Sequence, residues 1–317
     1  MKPIYLFIFL VFSSLSMVAQ QNLKTARISL KKWEDSLKKY STQIIEGKNP
    51  SDCFTADSIF TKILVRALVN KNSFYYPFNS LENISKLYSP DSSFKIFTWQ
   101  MVINENMIRQ HGAIQMKTED GSLQLLPLID KSDIIINQED TVTNNRSWIG
   151  AIYYKIIPTK NGNKRFYTLI GYDENNIRST KKIIETLEFI NGEPIFGSHL
   201  FSFTEESKNK PPLSRYILEF KKNTGARVNY DDQLGIIILE HLESESNEPS
   251  KKWTFIPDGD YEGFKWKNGK WQHINKVFNQ ITPEGKEPIP NPIKDANGKL
   301  IEPNLKNNQP IEQIPLK

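Results

Sequence analysis

Asp258, Asp260 and Glu262 stand at alternate positions in the string D-G-D-Y-E-G, which ends at Gly263. Oxygen ligands at the first, third and fifth positions followed by glycine at the sixth open a calcium loop, and a bidentate Glu at the twelfth closes it. The twelfth position here is Gly269, and the flanking residues alternate as in strands. The acid that completes the coordination shell is missing, so no metal is expected. Pro257-Asp258-Gly259 reads instead as a turn, and the three carboxylates become a ligand-binding cluster only if the fold turns them into a cleft.

Two other groups carry chemistry. In "GYDENN" (171–176), Asp173 and Asn175 crowd polar atoms at a strand end, and loops on rigid scaffolds often carry binding groups. Glu240-His241 offers a carboxylate beside an imidazole, although adjacent strand residues point to opposite faces. The four histidines, His111, His199, His241 and His273, show no H-x-x-x-H or H-x-H spacing. A metal site would need long-range convergence. There is no nucleophile elbow, Walker loop or dinucleotide fingerprint, and no cofactor is expected. Cys53 is the single cysteine. It excludes an intramolecular disulfide and reads as a small buried residue rather than a nucleophile.

The elements that must position these groups change period along the chain. Residues 22–46 carry Leu23, Ala26, Leu30, Trp33, Leu37, Tyr40 and Ile44 in one stripe, as in an amphipathic helix, with Gly47, Asn49 and Pro50 ending it. A second helix is expected at 57–70, and a short third at 81–88 capped by Ser80. From residue 93 the period is two. Strand-like runs recur to 278, split by Glu119-Asp120-Gly121, Asn161-Gly162, Asn191-Gly192, Thr224-Gly225 and Asn268-Gly269. Asn-Gly between apolar runs is a strong hairpin signal. A short helix starting at Ser179 would interrupt the strands, and "WTFIPDG" and "YEGFKWK" read as two strands joined by a turn. Trp99, Trp148, Trp253, Trp266 and Trp271 fall on strand-like runs. Most are expected in the core, with any exposed ring free to stack on a sugar or peptide.

The fold class is therefore mainly β with N-terminal α-helices. The expected antiparallel sheet is a sandwich, a barrel or a partial propeller, since "SPDSSFKIFTW" resembles a blade edge that does not repeat. The expected organisation is a signal peptide at 1–20, a helical segment at 21–90, an antiparallel β domain at 91–279 and a flexible Pro-rich tail at 280–317, which holds seven prolines and no aromatic residue.

Lys2 followed by the nine-residue apolar run Ile4–Phe12 is too short to span a bilayer, which takes about 20 residues. Polar and small residues follow it, as in an export signal. No cysteine lies close enough to form a lipobox. The expectation is a periplasmic or extracellular protein with no transmembrane span after signal cleavage. The net charge of +5 is dispersed as lysine pairs among acids, so no nucleic acid partner is expected.

The phrases "FKIFTW", "RFYTLIGYDENNIRSTKKIIETLEF", "GEPIFG", "RYILEF", "IIILEHLE" and "FIPDGDYEGFKWKNGKW" together resemble a group of uncharacterised exported proteins of Bacteroidetes-type bacteria, over roughly residues 54–278. The resemblance implies an envelope location and carries over no activity and no site residue. The reading that follows is an exported binding or protein-interaction module, its partner an envelope protein, a peptide or a glycan. The alternative is an envelope or extracellular hydrolase using clustered Asp, Glu and His.

Overall fold

The computed structural model describes residues 25–47, 49–104, 107–203 and 211–278. The expected signal peptide and Pro-rich tail lie outside them. The chain divides into two units, 1–277 and 278–317. All described residues but Phe278 belong to the first.

Helix α1 (25–46) and helix α2 (Pro50–Leu68) come first. Leu30, Leu37 and Ile44 of α1 are buried at seven-residue spacing, the stripe read from the sequence. The second helix begins earlier than expected. Pro50 opens it at the first helical position, where its fixed φ suits a helix and its missing N–H removes no bond. Cys53 is buried on α2, with its thiol 3.6 Å from the Gly47 carbonyl. No helix among the described residues is long and apolar enough to cross a membrane.

The expected third helix at 81–88 is not formed. Its second half is strand β1 (Ser85–Tyr88), held in register against β2 (Phe94–Asn104) from Ser85 opposite Thr98 to Tyr88 opposite Lys95. Ser80 has no helix to cap: its N–H donates to Glu34 Oε1 on α1 at 2.7 Å, and its Oγ accepts from Lys31 Nζ at 3.1 Å. Strands β3 (Met107–Met116) and β4 (Gln124–Ile129) complete a four-stranded antiparallel sheet in chain order.

A central sheet follows, with strand order β5 (Thr143–Asn144), β9 (Glu193–Phe196), β8 (Ser179–Ile190), β7 (Lys164–Asp173), β6 (Ile152–Asn161). Strand β11 (Arg215–Lys221) pairs with the first half of β8. The helix expected at Ser179 is thus a twelve-residue strand. The third sheet runs β10 (Phe201–Ser202), β15 (Lys270–Ile274), β14 (Phe255–Lys267), β13 (Ile236–Ser244), β12 (Val228–Asp231). Among the described strands all pairings are antiparallel except the two-residue β10–β15 contact, and one isolated bridge, Asp130 with Trp148, is parallel as well. Strands β9 and β10 are separated at Gly197, whose φ of 79° and approach to the Arg215 guanidinium exclude a side chain. There the chain leaves the central sheet for the third.

Among the described residues no sheet closes into a barrel and the sheets pack face to face, so of the three expected architectures the sandwich is found. The layers are ordered by three cores. Phe97, Trp99 and Met101 of β2 pack under the helices. Phe94 and Ile96, on the opposite face of β2, pack on Tyr167 and Leu169 of the central sheet. Ile170 and Ile184, on the far face of that sheet, pack on Ile237, Phe264 and Trp271 of the third. The stack is helices, first sheet, central sheet, third sheet. The central sheet is apolar on both faces, and its strands bury residues of both parities.

Candidate functional site

Strand β14 is continuous through Pro257-Asp258-Gly259, where the sequence predicted a turn. The strand accommodates these residues as a bulge. Glu240 pairs with Tyr261 and Leu242 with Pro257, so residues 258–260 stand opposite His241 alone. Such a bulge re-aims side chains. His241 Nδ1 lies 2.7 Å from Asp258 Oδ2. Burial opposes ionisation of Asp258, but the Asp260 N–H and then His241 outweigh it and hold the carboxyl below its ordinary range.

The other predicted residues part company here. Glu240 points away from His241, as strand alternation requires, and its Oε2 accepts the Arg227 N–H at 2.7 Å. Asp260 pairs outward with Lys276 at 3.1 Å. Glu262 turns inward. Its Oε1 accepts the Tyr216 hydroxyl and its Oε2 meets His273 Nε2, each at 2.9 Å. Burial, and then the Glu262 charge, push the Tyr216 phenol well above its usual value. The oxygens of Asp258, Asp260 and Glu262 thus serve separate partners: His241 and the Asp260 N–H for the first, Lys276 for the second, Tyr216 and His273 for the third. No group of three or more His, Cys, Asp or Glu suited to a metal occurs among the described residues.

Asp173 and Asn175 lie elsewhere, at the end of β7. Asp173 Oδ1 accepts the Asn175 N–H at 2.8 Å and the Gln110 amide at 2.6 Å, between the first and central sheets. Burial raises its pKa. Asn175 donates to Ser179 Oγ at 2.7 Å and to Glu219 Oε1 at 3.3 Å.

His241 and Glu262 line one open cleft of about 540 Å³ together with Glu139, Tyr216, Glu219 and Lys181. Its wall is the outer edge of β11, which among the described strands pairs with β8 alone. Glu139 stands against that edge. Its carbonyl accepts the Arg215 N–H at 3.1 Å and its Oε1 the Ile217 N–H at 3.4 Å. A side-chain carboxylate thereby occupies the position of a neighbouring strand's carbonyl. Glu139, Tyr216 and Glu219 stand out nowhere in the sequence, and His273 appears there only as one of four unspaced histidines. They have no motif, and only the fold places them.

Each histidine meets a carboxylate: His111 with Asp57, His199 with Asp140, His241 with Asp258 and His273 with Glu262. The sequence separations are 54, 59, 17 and 11 residues, so short-spacing motifs are blind to all four.

Trp99, Trp148 and Trp271 are core residues. Trp253 sits not on a strand but on a 3-10 turn, Lys252–Thr254, and is 38% exposed.

Compared with known proteins, the chain matches no family model, no curated protein and no solved structure.

Proposed function

We propose that the protein is an exported binding module that takes an extended peptide along the outer edge of β11, where the ligand displaces the Glu139 side chain from the Ile217 N–H. The observation that carries this reading is the cleft wall itself. An edge strand presents outward N–H and C=O groups that add a further strand from a partner. Glu139 already mimics such a partner at Ile217. His241, Glu219 and Lys181 flank the edge with polar contacts for side chains of the ligand. Export rests on the leader-like residues 1–20 and on the resemblance to exported envelope proteins.

The hydrolase reading is favoured by one observation, the His241–Asp258 pair at the cleft. In it Asp258 would orient His241 as a general base. The dispersal of Asp173, Glu240 and Asp260 to other partners favours binding.

The test is selection of a displayed peptide library on the folded protein, followed by affinity measurement of the selected peptides by fluorescence polarisation. Ile217→Pro removes one outward N–H, and proline is tolerated on a sheet edge. The expected result is selected peptides whose affinity falls about tenfold or more in this variant, the equivalent of about 1.4 kcal/mol. Failure to select any peptide, or affinity untouched by Ile217→Pro, overturns the reading. Peptide cleavage abolished by His241→Ala replaces it with the hydrolase.

A further inference from the structure

A second cleft, of about 640 Å³, lies where all three sheets meet, and it is built differently. Asp91 comes from the β1–β2 turn of the first sheet. Thr159 of β6 and Arg165 of β7 come from the central sheet. Tyr230 of β12, Trp266 of β14 and Trp271 of β15 come from the third.

Trp266 is half-buried and held in place. Its Nε1 donates to the Lys160 carbonyl at 3.1 Å, and its ring meets the buried Trp271 ring edge-on, with centroids 5.3 Å apart at 71°. The Tyr230 ring is also braced by Trp271, at 6.5 Å and 84°. The cleft thus has a fixed aromatic wall.

Beside that wall is a fixed polar group. The Asp91 carboxylate accepts from the Ser93 hydroxyl and the Tyr167 hydroxyl, each at 2.7 Å, from the Ser93 N–H at 3.2 Å, and from Arg165. Burial works against its ionisation, but the bonds from Ser93, Tyr167 and Ser89 outweigh it and hold it well below the usual carboxylate range. Asp91 is saturated with donors, so its role is to orient Arg165. The guanidinium carries five N–H donors in a planar fork, and the contact with Asp91 uses Nη1.

The third feature is an unsatisfied group. Thr159 is 8% exposed, lines the cleft, and its buried Oγ1 has no hydrogen-bond partner. Buried hydroxyls are nearly always paired, and each exception calls for an explanation.

We infer that this cleft binds a saccharide, with a pyranose ring stacked on Trp266, its hydroxyls taking donors from Arg165 and one hydroxyl pairing with Thr159. A pyranose has an apolar C–H face and a rim of hydroxyls. An aromatic π-face, negative at its centre, receives the first. A guanidinium fork and a lone hydroxyl receive the second. The lining holds Arg165 and Lys160 against Asp91, so the aromatic wall, and not the charge, is what favours a polyhydroxyl ring over a phosphate. The volume lies within the range of small-ligand sites, about 300–1,000 Å³, and holds a short oligosaccharide.

The experiment titrates the purified protein with chitotetraose, cellotetraose and maltotetraose, following tryptophan fluorescence and confirming by calorimetry. At least one is expected to bind with a Kd at or below about 1 mM. Trp266→Ala is expected to weaken it about tenfold or more, and Arg165→Gln about fivefold. Thr159→Val is the discriminating variant. It removes an unpaired buried hydroxyl, so the free protein melts at the same temperature or higher, while sugar affinity falls about fivefold. If Trp266→Ala does not fold, the other two variants carry the test. Absence of binding by all three sugars at about 10 mM, ten times the Kd expected above, overturns the inference. So does affinity unchanged in Arg165→Gln and Thr159→Val.

Discussion

Arg215 and Glu185 face each other across β11 and β8, both fully buried, with Arg215 Nε 3.0 Å from Glu185 Oε2. Every charged atom is spoken for. Arg215 also donates to the carbonyls of Gln138, Thr141 and Phe196 and to Thr143 Oγ1. Glu185 Oε1 accepts the Tyr153 hydroxyl, which in turn accepts Trp148 Nε1 at 2.7 Å. The pair ties the 138–143 segment to the central sheet. Breaking one side of a buried pair leaves an uncompensated charge, at about 3–5 kcal/mol. Arg215→Met is expected to destabilise by that amount in urea unfolding. Arg215→Met with Glu185→Leu is expected to lose less than Arg215→Met alone, a coupling that a double-mutant cycle measures directly.

Lys95 predicts an inverted pH dependence. Its ammonium is fully buried among the rings of Phe78, Tyr88 and Phe97, 2.6 Å from the Tyr76 carbonyl. Burial, aided by the neighbouring charge of Lys86, lowers its pKa from 10.5 to about 7. Between those values the unfolded chain holds a proton that the folded chain does not, so stability rises with pH through that window. Below pH 7 the full penalty applies. The slope is at most about 1.4 kcal/mol per pH unit. Urea midpoints are expected to rise from pH 7 to pH 9 more steeply in the native protein than in Lys95→Met. Parallel curves would show that Lys95 stays charged throughout.

Asp173 works in the opposite direction. Burial raises its folded pKa above 3.8. From pH 3.8 up to the folded value the folded chain holds the extra proton, so stability falls as pH rises. Asp173→Asn removes the buried charge, keeps an acceptor for the Asn175 N–H and offers a donor to Gln110 Oε1, which lacks a partner. The variant is expected to melt above the native protein at pH 7 and to lose that advantage near pH 4.

Asp57 joins the helical layer to the first sheet. Its Oδ1 accepts the Trp99 indole N–H at 2.7 Å and meets His111 Nδ1 at 2.9 Å. Asp57→Ala leaves the buried indole N–H without an acceptor, at about 1–3 kcal/mol. Asp57→Asn retains an acceptor and is expected to lose less. Equal losses in thermal unfolding would show that packing of α2, not the hydrogen bond, sets the effect.

The legible parts of the fold were the local ones. Asn191-Gly192 and Asn268-Gly269 both adopt left-handed φ and close two-residue hairpins, as the dipeptides announce. The α1 stripe is likewise a property of neighbours in sequence. Strand β8 was hidden because both its faces are buried. Ile183 and Leu187 face the first sheet and Ile184 the third, which imitates helical spacing. The bulge at 258–260 carries turn residues yet stays in the strand, because β13 supplies a partner on either side of it. Of the seven candidate residues, the approach of His241 to Asp258 follows from that bulge and from nothing local. The Tyr216–Glu262–His273 chain spans three strands in two sheets, so no stretch of sequence contains it.

The order in which the chain visits its layers has a consequence for assembly. Strands β1 to β4 and β6 to β9 pair each with the next in the chain, and such near-neighbour contacts form early. Strand β11 breaks that progression. The chain first places β10 beside the future third sheet and only then returns to β8 with Arg215. Until residue 215 emerges, Glu185 and the 138–143 segment wait without their cation. A nascent chain stopped short of β11 therefore lacks the one cation that Glu185 and the 138–143 segment share.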